Sequence, residues 1–184
     1  MKDIAGESEA VPEYMVRSCM DALRKIFILS EQNAWLPPIR SRARIRTTPK
    51  RHLIDPSLAA AAMGAGPEKL MGDPNTVGLL FESMCYRDLK VYSSAMGGDV
   101  LYYRDNTDLE IDAVIDLPDG RWGAVEVKLG ETDFDKAAAN LLRLREKTDP
   151  DREPSFLAIL TATSKYAYTR KDGAVVIPAD LLGP

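Results

Sequence analysis

LEIDAVIDLPDGRWGAVEVKL, residues 109–129, decides how the rest of the chain is read. Leu109, Ile111, Ala113, Ile115 and Leu117 recur at every second position, with Glu110, Asp112, Val114 and Asp116 between them, and Val125, Val127 and Leu129 do the same beyond a turn. Period-two alternation on both sides of a Pro-Asp-Gly sequence predicts a β-hairpin. Matching apolar to apolar requires a three-residue loop, Pro118-Asp119-Gly120, in which Gly120 takes a left-handed conformation. Ile111 then pairs with Val127 and Ala113 with Val125, with these apolar residues on one face.

The same register sets Asp112 opposite Glu126 and Glu110 opposite Lys128 on the other face. Two carboxylates about 5 Å apart repel by roughly 3 kcal/mol at an effective dielectric near 20. Two readings relieve that repulsion. In one, the face is solvated and Glu110 pairs with Lys128. In the other, a divalent cation lies between the acids. Glu82 favours the second, because its neighbours one helical turn away, Gly78, Leu79, Cys85 and Tyr86, are uncharged. A carboxylate projecting from an apolar stripe needs a cation or a donor, or else sits at the stripe's margin. Asp112, Glu126 and the Val127 carbonyl form a ligand set for Mg²⁺ or Mn²⁺, with Glu82 contributing directly or through water. Lys128 would orient a water and stabilise a phosphodiester transition state, and Arg104 is a candidate phosphate clamp.

Outward from the hairpin, VLYYR (100–104) reads as a strand and TVGLLFESMCYRDLKVYSSAMGG (76–98) as a long helix capped by Asn75 or Thr76 and closed by Gly97. DFDKAAANLLRLREK gives a helix from about Phe134; FLAILTA (156–162) and GAVVIP (173–178) give buried strands. The order helix, three strands, helix, strand predicts an α/β layer around a mixed sheet. Nearer the start, residues 1–13 read as a flexible leader and YMVRSCMDALRKIFIL as an amphipathic helix. In IRSRARIRTTPKRH, arginine alternates from 40 to 46, predicting a strand with one basic face. Helix then basic wing suggests a winged-helix-like segment over 14–66; a solvated, charge-protected edge strand is the other reading. A helix from Asp55 or Ser57 to Gly64 or Gly66 and a loop to Asn75 complete this half.

The net charge of −4 argues against broad nonspecific nucleic-acid binding, yet no acid occurs between Glu31 and Asp55, where Arg40, Arg42, Arg44, Arg46, Lys50 and Arg51 crowd together. Cys19 and Cys85 lack metal-ligand spacing and read as buried packing residues. No apolar run spans a bilayer and no signal peptide is evident, so the expectation is a cytoplasmic protein without membrane contact.

Glu82, Asp112 and Glu126-Val127-Lys128 resemble the PD-(D/E)xK nuclease superfamily. The ordered set TPKRHLIDPSLAAAAM, GLLFESMCYRDLKVY, YYRDNTDLEIDAVID and AVEVKLGE is similar to the uncharacterised C-terminal domain that follows an AAA-type ATPase in prokaryotic proteins. The resemblance implies a restriction-endonuclease-like mixed sheet flanked by helices over 67–184, preceded by the winged-helix-like segment. It implies DNA as substrate, Mg²⁺ or Mn²⁺ as cofactor, and an AAA-type ATPase in cis or in trans; it is compatible with an oligomer. No GxxxxGK[ST] occurs, so the ATPase belongs elsewhere. The alternative is a catalytically silent nuclease-fold module that binds DNA or docks and regulates an ATPase.

Overall fold

The computed structural model describes residues 11–37 and 44–183. Helix α1 (Glu13–Lys25) leads into a two-stranded antiparallel sheet, β1 (Leu29–Gln32) with β2 (Lys50–Leu53). Helix α2 (Pro56–Ala62) starts at Asp55, whose carboxylate accepts the Ser57 amide. The predicted loop that follows contains a short helix, α3 (Pro67–Met71), for which Pro67 supplies a pre-set first residue. Helix α4 (Pro74–Ala95) is capped by Asp73 rather than by Asn75 or Thr76, because Asp73 precedes a proline at the first helical position and accepts the Thr76 amide at 3.1 Å. Gly97, with φ +71°, closes it as expected.

The main sheet comprises β3 (Asp99–Arg104), β4 (Glu110–Asp116), β5 (Trp122–Lys128), β6 (Phe156–Thr161), β7 (Tyr168–Thr169) and β8 (Val175–Pro178), in the order β3-β4-β5-β6-β8-β7. β3, β4 and β5 are antiparallel; β5, β6 and β8 run parallel; β7 is an antiparallel edge. Helix α5 (Phe134–Lys147) makes the crossover between β5 and β6. The expected mixed sheet flanked by helices is the fold, in the expected order of elements.

Both faces of the sheet are buried. Phe134, Ala137, Leu141 and Leu144 of α5 cover Tyr103, Ile111, Val114, Ala124 and Ile159. Cys85, Tyr86 and Leu89 of α4 cover Val100, Ala113, Val125 and Leu160. Ile111 and Ala113 therefore face opposite layers, which corrects the single apolar face expected for the hairpin. The cause is a β-bulge: Leu101 pairs with Val114 but Tyr103 pairs with Ile111, so Tyr102 stands against both Asp112 and Ala113. One extra residue in β4 inverts the alternation beyond it.

Past the bulge, Ala113 pairs with Val125 and Asp116 with Trp122, as expected. The Leu117 amide bonds the Arg121 carbonyl across the loop 118–120, and Gly120 has φ +86°. Helix α1 buries none of its residues, so Cys19 is exposed while Cys85 is buried. Among the described residues no helix is long and apolar enough to cross a membrane.

Candidate active site

The bulge leaves backbone groups that the β3–β4 ladder cannot pair. The Gln32 amide nitrogen donates to the Leu101 carbonyl at 3.0 Å and to the Asp112 carbonyl at 2.9 Å. Buried Tyr102 pairs instead with the segment after β1, its amide donating to the Asn33 carbonyl (3.0 Å) and its carbonyl accepting from the Trp35 amide (2.7 Å). With both Gln32 N–H groups spent on carbonyls, its side-chain oxygen must accept, so His52 Nε2 carries a proton and donates to it at 2.9 Å. His52 Nδ1 then accepts from Ser83 Oγ at 3.2 Å, and the ring stacks on Tyr86. Burial, reinforced by the charge of Lys50, lowers the His52 pKa to about 4, keeping the ring neutral.

At this bulge Asp112 is turned toward the end of β5. The β4–β5 ladder stops at Ala113 and Val125, and one residue further the Asp112 carboxylate replaces it, accepting the Val127 amide at 2.8 Å. Lys128 Nζ lies 3.1 Å from Asp112 Oδ2 and 2.5 Å from Glu126 Oε2, while Asn140 of α5 donates to Glu126 Oε1 at 3.1 Å. Burial, and next the Asp112 charge, push the Glu126 carboxyl up to about 8. Burial works the same way on Asp112, but Lys128, Lys50 and the Val127 amide outweigh it and hold Asp112 below the usual carboxylate range. Burial would lower Lys128, yet the two acids raise it. The pair thus carries an ionised Asp112 beside a Glu126 that tends to keep its proton.

Glu82 projects from α4 toward the same point but is held by Lys50, whose Nζ lies 3.1 Å from Glu82, 2.9 Å from Glu110 and 3.7 Å from Asp112. Burial and the Asp112 charge raise the Glu82 pKa, against the pull of Lys50. Glu110 pairs with Lys50 and, at 3.4 Å, with Arg104, which corrects the expected Glu110–Lys128 pair. The bulge explains the change: it separates the residues on either side of Asp112 between the two layers. Two open clefts, of about 410 Å³ and 360 Å³, share Asp112 and Lys128; Glu82 and Val127 line the first, Glu110, Glu126 and Asn140 the second.

Of the basic run, Arg40 and Arg42 lie outside the described residues. Residues 44–46 form no strand, only a bridge from Ile45 to Asp105; Arg44 and Arg46 are exposed on either side of it. Arg51 is exposed beside Glu31, at 3.8 Å. Lys50 is placed among acids rather than with these arginines.

Among the described residues no group of three or more acids, histidines or cysteines is arranged to hold a metal ion. Mg²⁺ asks for less, typically one or two carboxylates with waters and substrate phosphate. Asp112, Glu126 and the Val127 carbonyl are hard oxygen donors that fit that demand.

Sequence reasoning missed Gln32, His52, Asn140 and the part played by Lys50. It also missed Asp105, buried beneath the β3–β4 loop, which accepts from Thr107, Tyr103 and Lys147. Asp105-Asn106-Thr107 carried a usable signal, since an aspartate bonding the amide two residues on is an Asx-turn. Gln32 and His52 carried none.

Residues 77–182 match the family model described as "Domain of unknown function (DUF4143)". The match contains Glu82, Asp112, Glu126 and Lys128 and leaves out the β1–β2 hairpin. No curated protein and no solved structure matches the chain.

Proposed function

The chain belongs to the DUF4143 family, whose domains commonly lie C-terminal to AAA ATPases, and from the site at the end of β5 we propose that it is a divalent-cation-dependent nuclease acting on DNA. A single observation carries the reading: Asp112 and Glu126 converge on Lys128 Nζ, at 3.1 and 2.5 Å, at the point where two clefts meet. Two acids and a lysine on adjoining strands are the parts that metal-assisted phosphodiester hydrolysis requires.

Asp112, Glu126 and the Val127 carbonyl are the groups that would hold Mg²⁺ or Mn²⁺. The bound ion supplies Lewis acidity toward the phosphate and lowers the pKa of a water. Lys128 steadies the negative charge that grows on the phosphoryl oxygens and orients the attacking water. Asn140 fixes the Glu126 carboxylate through its amide, so that the second oxygen stays directed at Lys128. Glu82 acts on the site through Lys50. Arg104, with Arg44 and Arg46 beside the β3–β4 loop, grips the DNA backbone, joined by Arg40, Arg42 and Arg51 of the same run. The segment 14–66 serves as a winged-helix-like element, the nuclease unit follows it, and the protein works in the cytoplasm with an AAA-type ATPase in cis or in trans.

A silent module for DNA binding or ATPase docking is the competing reading, favoured by the lysine already engaged with each acid. Cleavage of labelled linear, nicked and four-way-junction DNA in Mn²⁺, Mg²⁺ or EDTA separates the two. Cutting that needs the ion and Asp112 supports the nuclease; binding without cutting supports the silent module.

A further inference from the structure

Of the two ammonium groups at the site, Lys128 acts directly in the reaction proposed above, whereas Lys50 enters it only as the partner of Glu82. Lys50 opens β2, which is fixed by the pairings Gln32↔Lys50 and Glu31↔Arg51 and by the His52–Gln32 hydrogen bond. Its side chain is only 20% exposed. Around Nζ lie the carboxylates of Glu110, Glu82 and Asp112, at 2.9, 3.1 and 3.7 Å, with the Tyr102 ring 5.7 Å away. Three carboxylates and an aromatic face are the surroundings of a bound cation. Asp112 divides its two oxygens between the ammonium groups, Oδ1 toward Lys50 and Oδ2 toward Lys128. Such a shared carboxylate is what joins neighbouring ions in two-ion phosphodiester-cleaving sites.

We propose that Lys50 is the resident second cation of this site: its ammonium fills the place of a second divalent ion and leaves room for one. The proposal rests on the reading that Asp112 and Glu126 take a divalent ion. It accounts for Glu82 and Glu110, which serve as partners of Lys50 rather than as metal ligands. The cation is delivered by the β1–β2 hairpin, from outside the family-matched residues 77–182.

The test counts Mn²⁺ on the whole chain and its Lys50→Ala variant, by electron paramagnetic resonance of free Mn²⁺ and by isothermal titration without DNA. The expected result is one Mn²⁺ per chain in the parent and two in Lys50→Ala. None in the parent and one in the variant would still support the place of Lys50, while removing the reading of Asp112 and Glu126 as ion ligands. An equal count in both proteins overturns the proposal. Should Lys50→Ala fail to fold in EDTA, circular dichroism with millimolar MnCl₂ decides. Recovery of helical signal supports a replaceable cation; a chain that stays unfolded overturns it.

Discussion

The Asp112 carboxylate accepts the Val127 amide at 2.8 Å, just beyond Ala113 and Val125, the last backbone pair between their strands. A side chain therefore ends the ladder and holds β5 at the point where Glu126 and Lys128 leave it. Asp112→Asn keeps an oxygen for that amide and removes the charge. The expected outcome is a folded protein with metal-dependent cleavage reduced by about 100-fold or more. Cleavage assays beside a thermal melt check both halves; unchanged cutting would remove Asp112 from the chemistry.

Glu126 gives a pH dependence of definite sign. Its ordinary pKa is 4.5, and burial followed by the Asp112 charge moves it to about 8 in the fold. Between these values the folded chain holds a proton that the unfolded chain has released. The Glu126 contribution to stability is therefore lost as pH rises from about 4.5 to about 8. Glu126→Gln should lack this decline, measured by denaturant titration from acid to mildly alkaline pH without divalent ions.

His52 acts in the opposite direction. Its pKa falls from 6.5 to about 4, burial being the larger cause and the charge of Lys50 the next. The unfolded chain binds the proton first, so stability is lost as pH drops through that window. In Glu126→Gln the remaining slope below pH 6.5 should be positive, and adding His52→Gln should flatten it. A slope that survives in the double variant would assign it to other groups.

Gln32→Leu strands the carbonyls of Leu101 and Asp112 inside the fold. Leaving a buried acceptor without a partner costs about 1–3 kcal/mol. A shift of the guanidinium midpoint to lower concentration is expected, with weaker Mn²⁺ binding as the bulge relaxes. An unchanged midpoint would mean that water replaces the amide.

Arg44→Ser with Arg46→Ser should weaken DNA binding uniformly across sequences. If each arginine neutralises one phosphate, the slope of log K against log salt falls by about 2. Fluorescence anisotropy over a salt series reads it; an unaltered slope would move the DNA to another face.

Much of the scaffold could be read from residues alone because its signals are local. The turn at Pro118-Asp119-Gly120 and the pairing of Ala113 with Val125 follow from alternation and a glycine free to take positive φ. Of the four residues singled out by spacing, Asp112, Glu126 and Lys128 lie within contact of one another, whereas Glu82 is held by Lys50 and shares only a cleft with Asp112 and Lys128. What alternation cannot show is what holds its interruption in place. Val114 interrupts the alternation two residues after Asp112, but the residues that hold the bulge are Tyr102 on another strand and Gln32 far upstream. Lys50 was grouped with the arginines for the same reason: charge runs are visible along the chain, whereas the acids that claim one member belong to α4 and β4.

The hydrogen bond from Gln32 to Asp112 spans 80 positions of sequence. Contacts of that range form only after the loop between them has closed, and closing it is among the slow events of folding. The local β4–β5 pairing can therefore form before the contact with Gln32 that aims Asp112. Completion of the fold is thus the step that arms the site, since a half-folded chain lacks the geometry that aims Asp112 at Val127 and Lys128.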